Sequence, residues 1–172
     1  EWFFRLAEKN SENASLTSMQ DISIMGMFRR ILNAPELSNL LFLLPGLALF
    51  GLPYLRLNLY SNPKFRLLLL ASVLIFTVIF SSGSESPTYI IAFVGVAIWF
   101  VLQEKPITKT TWFLFIFAMI LTSFSPSDIM PRFLRETYII PYALKALPCV
   151  LIWCSIIYQM LFFNPNQNKI EA

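Results

Sequence analysis

The sequence predicts an all-α, polytopic integral-membrane helical bundle, on three observations. The chain has 172 residues, of which 56% are hydrophobic. Its charged fraction is 13%, well under the ~25% usual for soluble domains, and its mean hydropathy is +0.63. Its apolar residues gather into five runs separated by short polar stretches. None of these runs alternates with a period of two, so helices are the economical way to satisfy the backbone in lipid. The first residue is Glu, not Met, and a piece of a longer chain is therefore expected.

Residues 1–36 differ from the rest and are expected to form an external or interfacial segment. Glu8 to Gln20 is polar, and Ser18-Met19-Gln20-Asp21 resembles a capping box. Beyond it, Ile22, Met25, Phe28 or Arg29, and Ile31-Leu32 give one apolar face, with Ser23, Arg30 and Asn33 facing away. This pattern predicts a short amphipathic helix over residues 21–32. It either lies on a membrane surface or packs against the other helices, and the pattern fits both.

The transmembrane bundle is expected over residues 37–163, with about five spans at Leu37–Leu55, Phe65–Ser82, Pro87–Leu102, Thr111–Phe124 and Tyr138–Phe163. Spanning takes roughly 20 residues, so the middle three are short. Tyr54, Tyr89, Trp99, Trp112 and Tyr138 fall near the ends of runs, as interfacial aromatics do. Pro45, Pro53, Pro141 and Pro148 predict kinks beside a cavity or a neighbouring helix. Arg56, Lys64, Arg66, Lys105, Lys109 and Lys169 fall on one side, against Arg29, Arg30, Arg132 and Arg135 on the other. That bias makes residues 164–172 a cytoplasmic tail and places Glu85 outside.

Function classes narrow quickly. The chain contains no His, which removes His-based general bases and most transition-metal sites. A net charge of +3 with scattered basic residues argues against a nucleic-acid partner. Cys149 and Cys154 point about 140° apart on a straight helix and read as small buried hydrophobes. No phosphate-binding glycine loop, nucleophile elbow or metal spacing is present, so neither metal nor cofactor is expected.

Three places carry candidate chemistry. The loop Ser81-Ser82-Gly83-Ser84-Glu85-Ser86-Pro87 sets one carboxylate among small hydroxyls, although the same residues also suit a plain helix–turn–helix connection. Arg132 and Arg135 are three apart and share a helical face, positioned to grip a phosphate or to pair with Asp128 and Glu136. Lys145 is expected two turns into the last span, on a face with Tyr138, Tyr142 and Cys149. It is either a buried functional ammonium or a snorkelling one.

Two stretches together carry a family resemblance. Ser84-Glu85-Ser86-Pro87-Thr88-Tyr89-Ile90-Ile91-Ala92 runs on to Gly95-Val96-Ala97-Ile98-Trp99, and Pro131-Arg132-Phe133-Leu134-Arg135 runs on to Pro141-Tyr142-Ala143-Leu144-Lys145-Ala146-Leu147-Pro148. Over residues 80–155 the chain resembles bacterial membrane proteins of glycosyltransferase family 87. The resemblance implies a GT-C helical bundle in the bacterial inner membrane. It implies transfer of a sugar, typically mannose, from a polyprenyl-phosphate donor to a lipid or glycan acceptor at the external face, among membrane lipids. It places the catalytic Asp upstream, so no catalytic residue is assigned here and the chain alone is expected to be inactive. Glu85, Ser84, Ser86, Arg132, Arg135 and Lys145 become the substrate-binding candidates. Two features depart from the family: the chain is shorter, and the His expected near the Glu85 loop is replaced by Ser81 and Ser82. The rival expectation is a non-enzymatic membrane component, a transporter subunit or assembly scaffold. For the enzyme, Glu85, Lys145 and at least one of Arg132 and Arg135 should converge on one cavity.

Overall fold

The computed structural model describes residues 2, 4–5, 21–125 and 130–163. From residue 21 on, the described α-helices run α1 (Ile24–Leu32), α2 (Leu40–Gly51), α3 (Pro63–Ile79), α4 (Tyr89–Val101), α5 (Lys109–Ala118), α6 (Arg132–Leu134) and α7 (Ala146–Leu161). No strand occurs among the described residues.

The all-helical expectation stands and the membrane-spanning one does not. Among the described residues no helix is long and apolar enough to cross a membrane. The longest, α3, has 17 residues, about 26 Å at 1.5 Å per residue, short of the ~30 Å hydrocarbon core. The five predicted spans, the multi-pass placement in a bacterial inner membrane and the inside–outside assignment of the loops are therefore corrected together.

The reason is local backbone geometry that hydropathy does not register. The first apolar run breaks after α2 into two 3₁₀ turns, Leu52–Leu55 and Leu57–Leu59, with Pro53 in the first. The fourth run leaves α-geometry at Met119 and continues as a wider π turn to Phe124. The last run is cut more deeply. The amides of Ile140 and Leu144 reach back five residues, to the carbonyls of Arg135 (3.0 Å) and Ile139 (3.1 Å). Ala143 then adopts a left-handed φ of 50°, which costs an L-residue roughly 1–2 kcal/mol. Helix α7 begins only at Ala146, so Lys145 is its N-cap and not a residue two turns inside. The expected shared face of Tyr138, Tyr142, Lys145 and Cys149 does not form.

The core lies between α3, α4 and α7, with Phe65, Leu68, Ile75, Val96, Trp99, Ile152 and Ile156 fully or almost fully buried. Gly95 permits the close approach of α3 and α4: a Cβ there would stand 2.8 Å from both the Ala71 carbonyl oxygen and Ile75 Cγ1. Trp153 Nε1 donates to the buried Ser72 hydroxyl at 3.1 Å, tying α7 to α3. Arg56 donates to the carbonyls of Met160, Leu161 and Phe163 at 2.8, 2.8 and 3.0 Å, closing the C-terminal end of α7. Of the cysteines, Cys149 is buried as expected while Cys154 is exposed.

Helix α1 forms where the amphipathic pattern predicts one, but its N-cap is Ser23, whose hydroxyl accepts from the Gly26 amide. Of the suggested capping box, Ser18 to Gln20 lie outside the described residues, as does the 164–172 tail. The buried face is Met25, Met27 and Arg29, while Ile31 and Leu32 are exposed. The helix packs on the body, the second of the two expected arrangements.

Candidate functional site

Three segments meet at the end of the fold where α3 gives way to α4. The first is the Ser81–Thr88 turn. Ser84 is fully buried, and its hydroxyl donates to the Val78 carbonyl at 2.6 Å, which anchors the turn to the end of α3. The Glu85 amide donates to Thr88 Oγ1 at 3.3 Å, opening the short 3₁₀ turn Ser86–Thr88 that leads into α4. Glu85 itself is exposed.

The second segment is the lead-in to α1. The Ile22 amide donates to the Ser84 carbonyl at 2.9 Å, and the Ile22 carbonyl accepts from the Tyr89 hydroxyl at 2.7 Å. Both backbone groups of Ile22 are thus fastened to the turn. Behind it, Asp21 and Arg29 form a buried ion pair at 2.8 Å, and Ser23 Oγ donates to the same carboxylate at 2.5 Å. Arg29 also donates to the Leu37 carbonyl at 3.1 Å and to the Asn39 side chain. Burial pushes the Asp21 carboxyl above its ordinary value; Ser23 and Arg29 pull the other way and do not overcome it. The pair is close in space, yet desolvation outweighs its attraction.

The third segment is the irregular chain between α6 and α7. Its left-handed break at Ala143 brings Lys145 back toward the turn. The Lys145 ammonium donates to Ser86 twice, to Oγ at 2.6 Å and to the carbonyl at 3.1 Å, and lies 5.3 Å from the Tyr89 ring centroid. Lys145 is only 5% exposed. Burial lowers its pKa to about 8, with the Cys149 sulfur opposing. Thr122 holds the backbone by donating to the Lys145 carbonyl at 3.2 Å.

Between the segments lies a cavity of about 430 Å³, lined by Ile22, Arg30, Glu85, Ser86, Pro87, Ser125, Arg135, Ile139, Ile140, Ala143 and Lys145. Four of the six sequence-chosen residues, Glu85, Ser86, Arg135 and Lys145, therefore line one cavity. Ser84 lies beneath the turn with its hydroxyl engaged, and Arg132 is exposed and outside the lining. Arg135 approaches Glu136 only at 3.8 Å, and its buried Nε meets no hydrogen-bond partner among the described residues. Arg30 also lines the cavity, a role its place on the polar face of the amphipathic pattern does not assign. It donates to the Ile140 carbonyl at 3.5 Å, and burial lowers its pKa. The available signal was the Arg29-Arg30 pair: neighbours on a helix point about 100° apart, so one turns to Asp21 and the other to the cavity.

Three cationic side chains and one carboxylate around mixed polar and apolar walls make a seat for an anion with an apolar substituent. No group of His, Cys, Asp and Glu able to hold a metal occurs among the described residues. A second cavity, about 510 Å³, lies elsewhere, lined by Lys64, Glu104, Gln103, Gln159 and Tyr158 among others. Its polar groups are largely paired with one another: Gln103 and Gln159 exchange amide bonds, and Lys64 meets Glu104 at 2.8 Å. No family model, curated protein or solved structure matches this chain.

Proposed function

We propose that this chain binds the phosphate of a polyprenyl-phosphate-linked sugar and serves as the donor-binding part of a hexosyl- or mannosyltransferase. The observation that carries the reading is the cavity where Arg30, Arg135 and Lys145 face a single carboxylate, Glu85. Among the charged residues of the lining three are cationic and one is a carboxylate, with Asp21 acting on Arg30 from behind. Ile22, Pro87, Ile139 and Ile140 supply apolar wall for the first isoprenoid units.

In the reaction this reading implies, an acceptor hydroxyl attacks C1 of the sugar while the bond from C1 to the phosphate oxygen breaks. The prenyl phosphate leaves with its electrons, and the cations stabilise the charge that develops on it. Glu85 hydrogen-bonds sugar hydroxyls at the cavity mouth. Lys145 holds Ser86 in place and adds to the positive field. This reading assigns donor binding to the chain, and does not assign the base that takes the acceptor proton.

Binding of a short-chain prenyl-phosphate mannose, measured by calorimetry against the corresponding prenyl alcohol, tests it. The phosphate compound should bind, and Arg135→Gln should weaken it at least tenfold, or ~1.4 kcal/mol. Equal binding of compounds with and without phosphate would refute the anion seat.

A further inference from the structure

Lys145 and Ser86 also carry an inference that goes beyond sugar transfer and does not depend on it. We propose that Ser86 and Lys145 form a serine–lysine nucleophile pair able to cleave a small activated ester in the cavity they line. Three observations support it. Ser86 Oγ and Lys145 Nζ are 2.6 Å apart, within direct proton-transfer distance. Lys145 is 5% exposed, and no carboxylate forms an ion pair with it among the described residues. Burial holds its pKa at about 8, so an appreciable neutral fraction exists near neutral pH. The groups around it are Tyr89, Cys149 and Ser86, with Glu85, Arg30 and Arg135 on the cavity walls.

In the acylation step the neutral Lys145 amine takes the Ser86 hydroxyl proton as Oγ bonds to the ester carbonyl carbon. The tetrahedral intermediate collapses, the carbon–oxygen bond to the alcohol breaks, and the lysine ammonium returns its proton to the leaving alkoxide. Water then attacks the Ser86 ester with Lys145 again as base. This releases the acid and restores the hydroxyl. Residue 87 is Pro and has no N–H to offer an oxyanion. Arg30 and Arg135 supply the guanidinium donors on this cavity wall.

A fluorophosphonate probe tests the pair on the purified chain: Ser86 Oγ bonds to phosphorus, fluoride leaves and Lys145 gains the proton. Mass spectrometry should place the adduct on Ser86, with a labelling rate that rises with pH and levels off above about 8. Lys145→Met should slow labelling by roughly 10²-fold or more, and Ser86→Ala should abolish it. Lys145→Arg keeps the charge and the bonds to the turn but cannot act as base, so it decides the matter if the Met variant fails to fold. With a native circular dichroism spectrum it should remain unlabelled. No adduct on wild-type Ser86, or equal rates in wild type and Lys145→Arg, would overturn the proposal and leave Lys145 as a clamp on the turn. The prenyl-phosphate binding assay reads the transferase proposal separately, so the two can fail independently.

Discussion

Replacing Arg56 should destabilise the protein far more than a surface arginine normally does. Its guanidinium donates three hydrogen bonds to the carbonyls of Met160, Leu161 and Phe163. These groups lie in and just beyond the last turn of α7, where carbonyls lack intrahelical partners. Charge-assisted bonds are worth ~1.5–3 kcal/mol each. Three bonds sharing one half-exposed group do not add fully, which brings the expected total down to ~2–4 kcal/mol. The cation at the negative end of the helix dipole contributes within that figure, ~0.3–1 kcal/mol.

Urea unfolding followed by far-ultraviolet circular dichroism should therefore show Arg56→Met losing about 3 kcal/mol with an unchanged m-value. Arg56→Lys keeps the dipole interaction but cannot span three carbonyls, and should lose about half as much. An Arg56→Met variant within ~0.5 kcal/mol of wild type would mean that water replaces the clasp at no cost, and would refute the reasoning.

Ser72→Ala leaves the Trp153 indole N–H buried without its acceptor and should cost ~1–3 kcal/mol in the same assay; a neutral result would show that the Ser72 bond carries no weight. Stability should also follow pH through two opposed groups. Lys145 falls from 10.5 to about 8 on folding, so the unfolded chain holds more protons above 8 and stability rises with pH. Cys149 is raised from 9.0 to about 11, so its contribution is lost as pH climbs through that range. Urea midpoints should thus increase from pH 8 to 9 and then level off. Lys145→Met should lose the increase and Cys149→Ala should extend it, and a flat wild-type profile from pH 8 to 9 would contradict the Lys145 environment.

Helix type could be read from the sequence because it rests on local signals, whereas the convergence of Glu85 and Lys145 on one cavity was expected from a membrane topology that the structure does not bear out. Runs of Leu, Ile, Phe and Val give helical hydropathy, and Ser86-Pro87 marks a helix start. The length of each helix could not be read the same way. Hydropathy sums continuously across Tyr138–Phe163, yet the backbone there passes through a π turn and a left-handed alanine before α7 begins. No Gly stands at position 143 to announce the break. The same break explains why Lys145 reaches Ser86. On an uninterrupted helix it would have continued the Tyr138 face, whereas the N-cap position aims it at the turn. The roles of Arg30 and Asp21 could not be read for a different reason. Their roles depend on which segment packs beside α1, and periodicity along one helix does not contain that information.

The charge arrangement itself favours an anion in the cavity lined by Lys145. Only 13% of the residues are charged, yet Arg30, Glu85, Arg135 and Lys145 come from three segments to line one cavity. Bringing these cations to one cavity costs desolvation, and burial lowers the pKa of both Arg30 and Lys145. Elsewhere the chain pairs its buried charge locally, as Asp21 does with Arg29. A cavity that gathers excess positive charge at a net cost is stabilised when an anion enters, and ligand binding to the native state offsets that cost by mass action. Phosphate-bearing ligands should accordingly raise the unfolding midpoint of wild type more than that of Arg135→Gln. Equal shifts in the two would place the anion elsewhere.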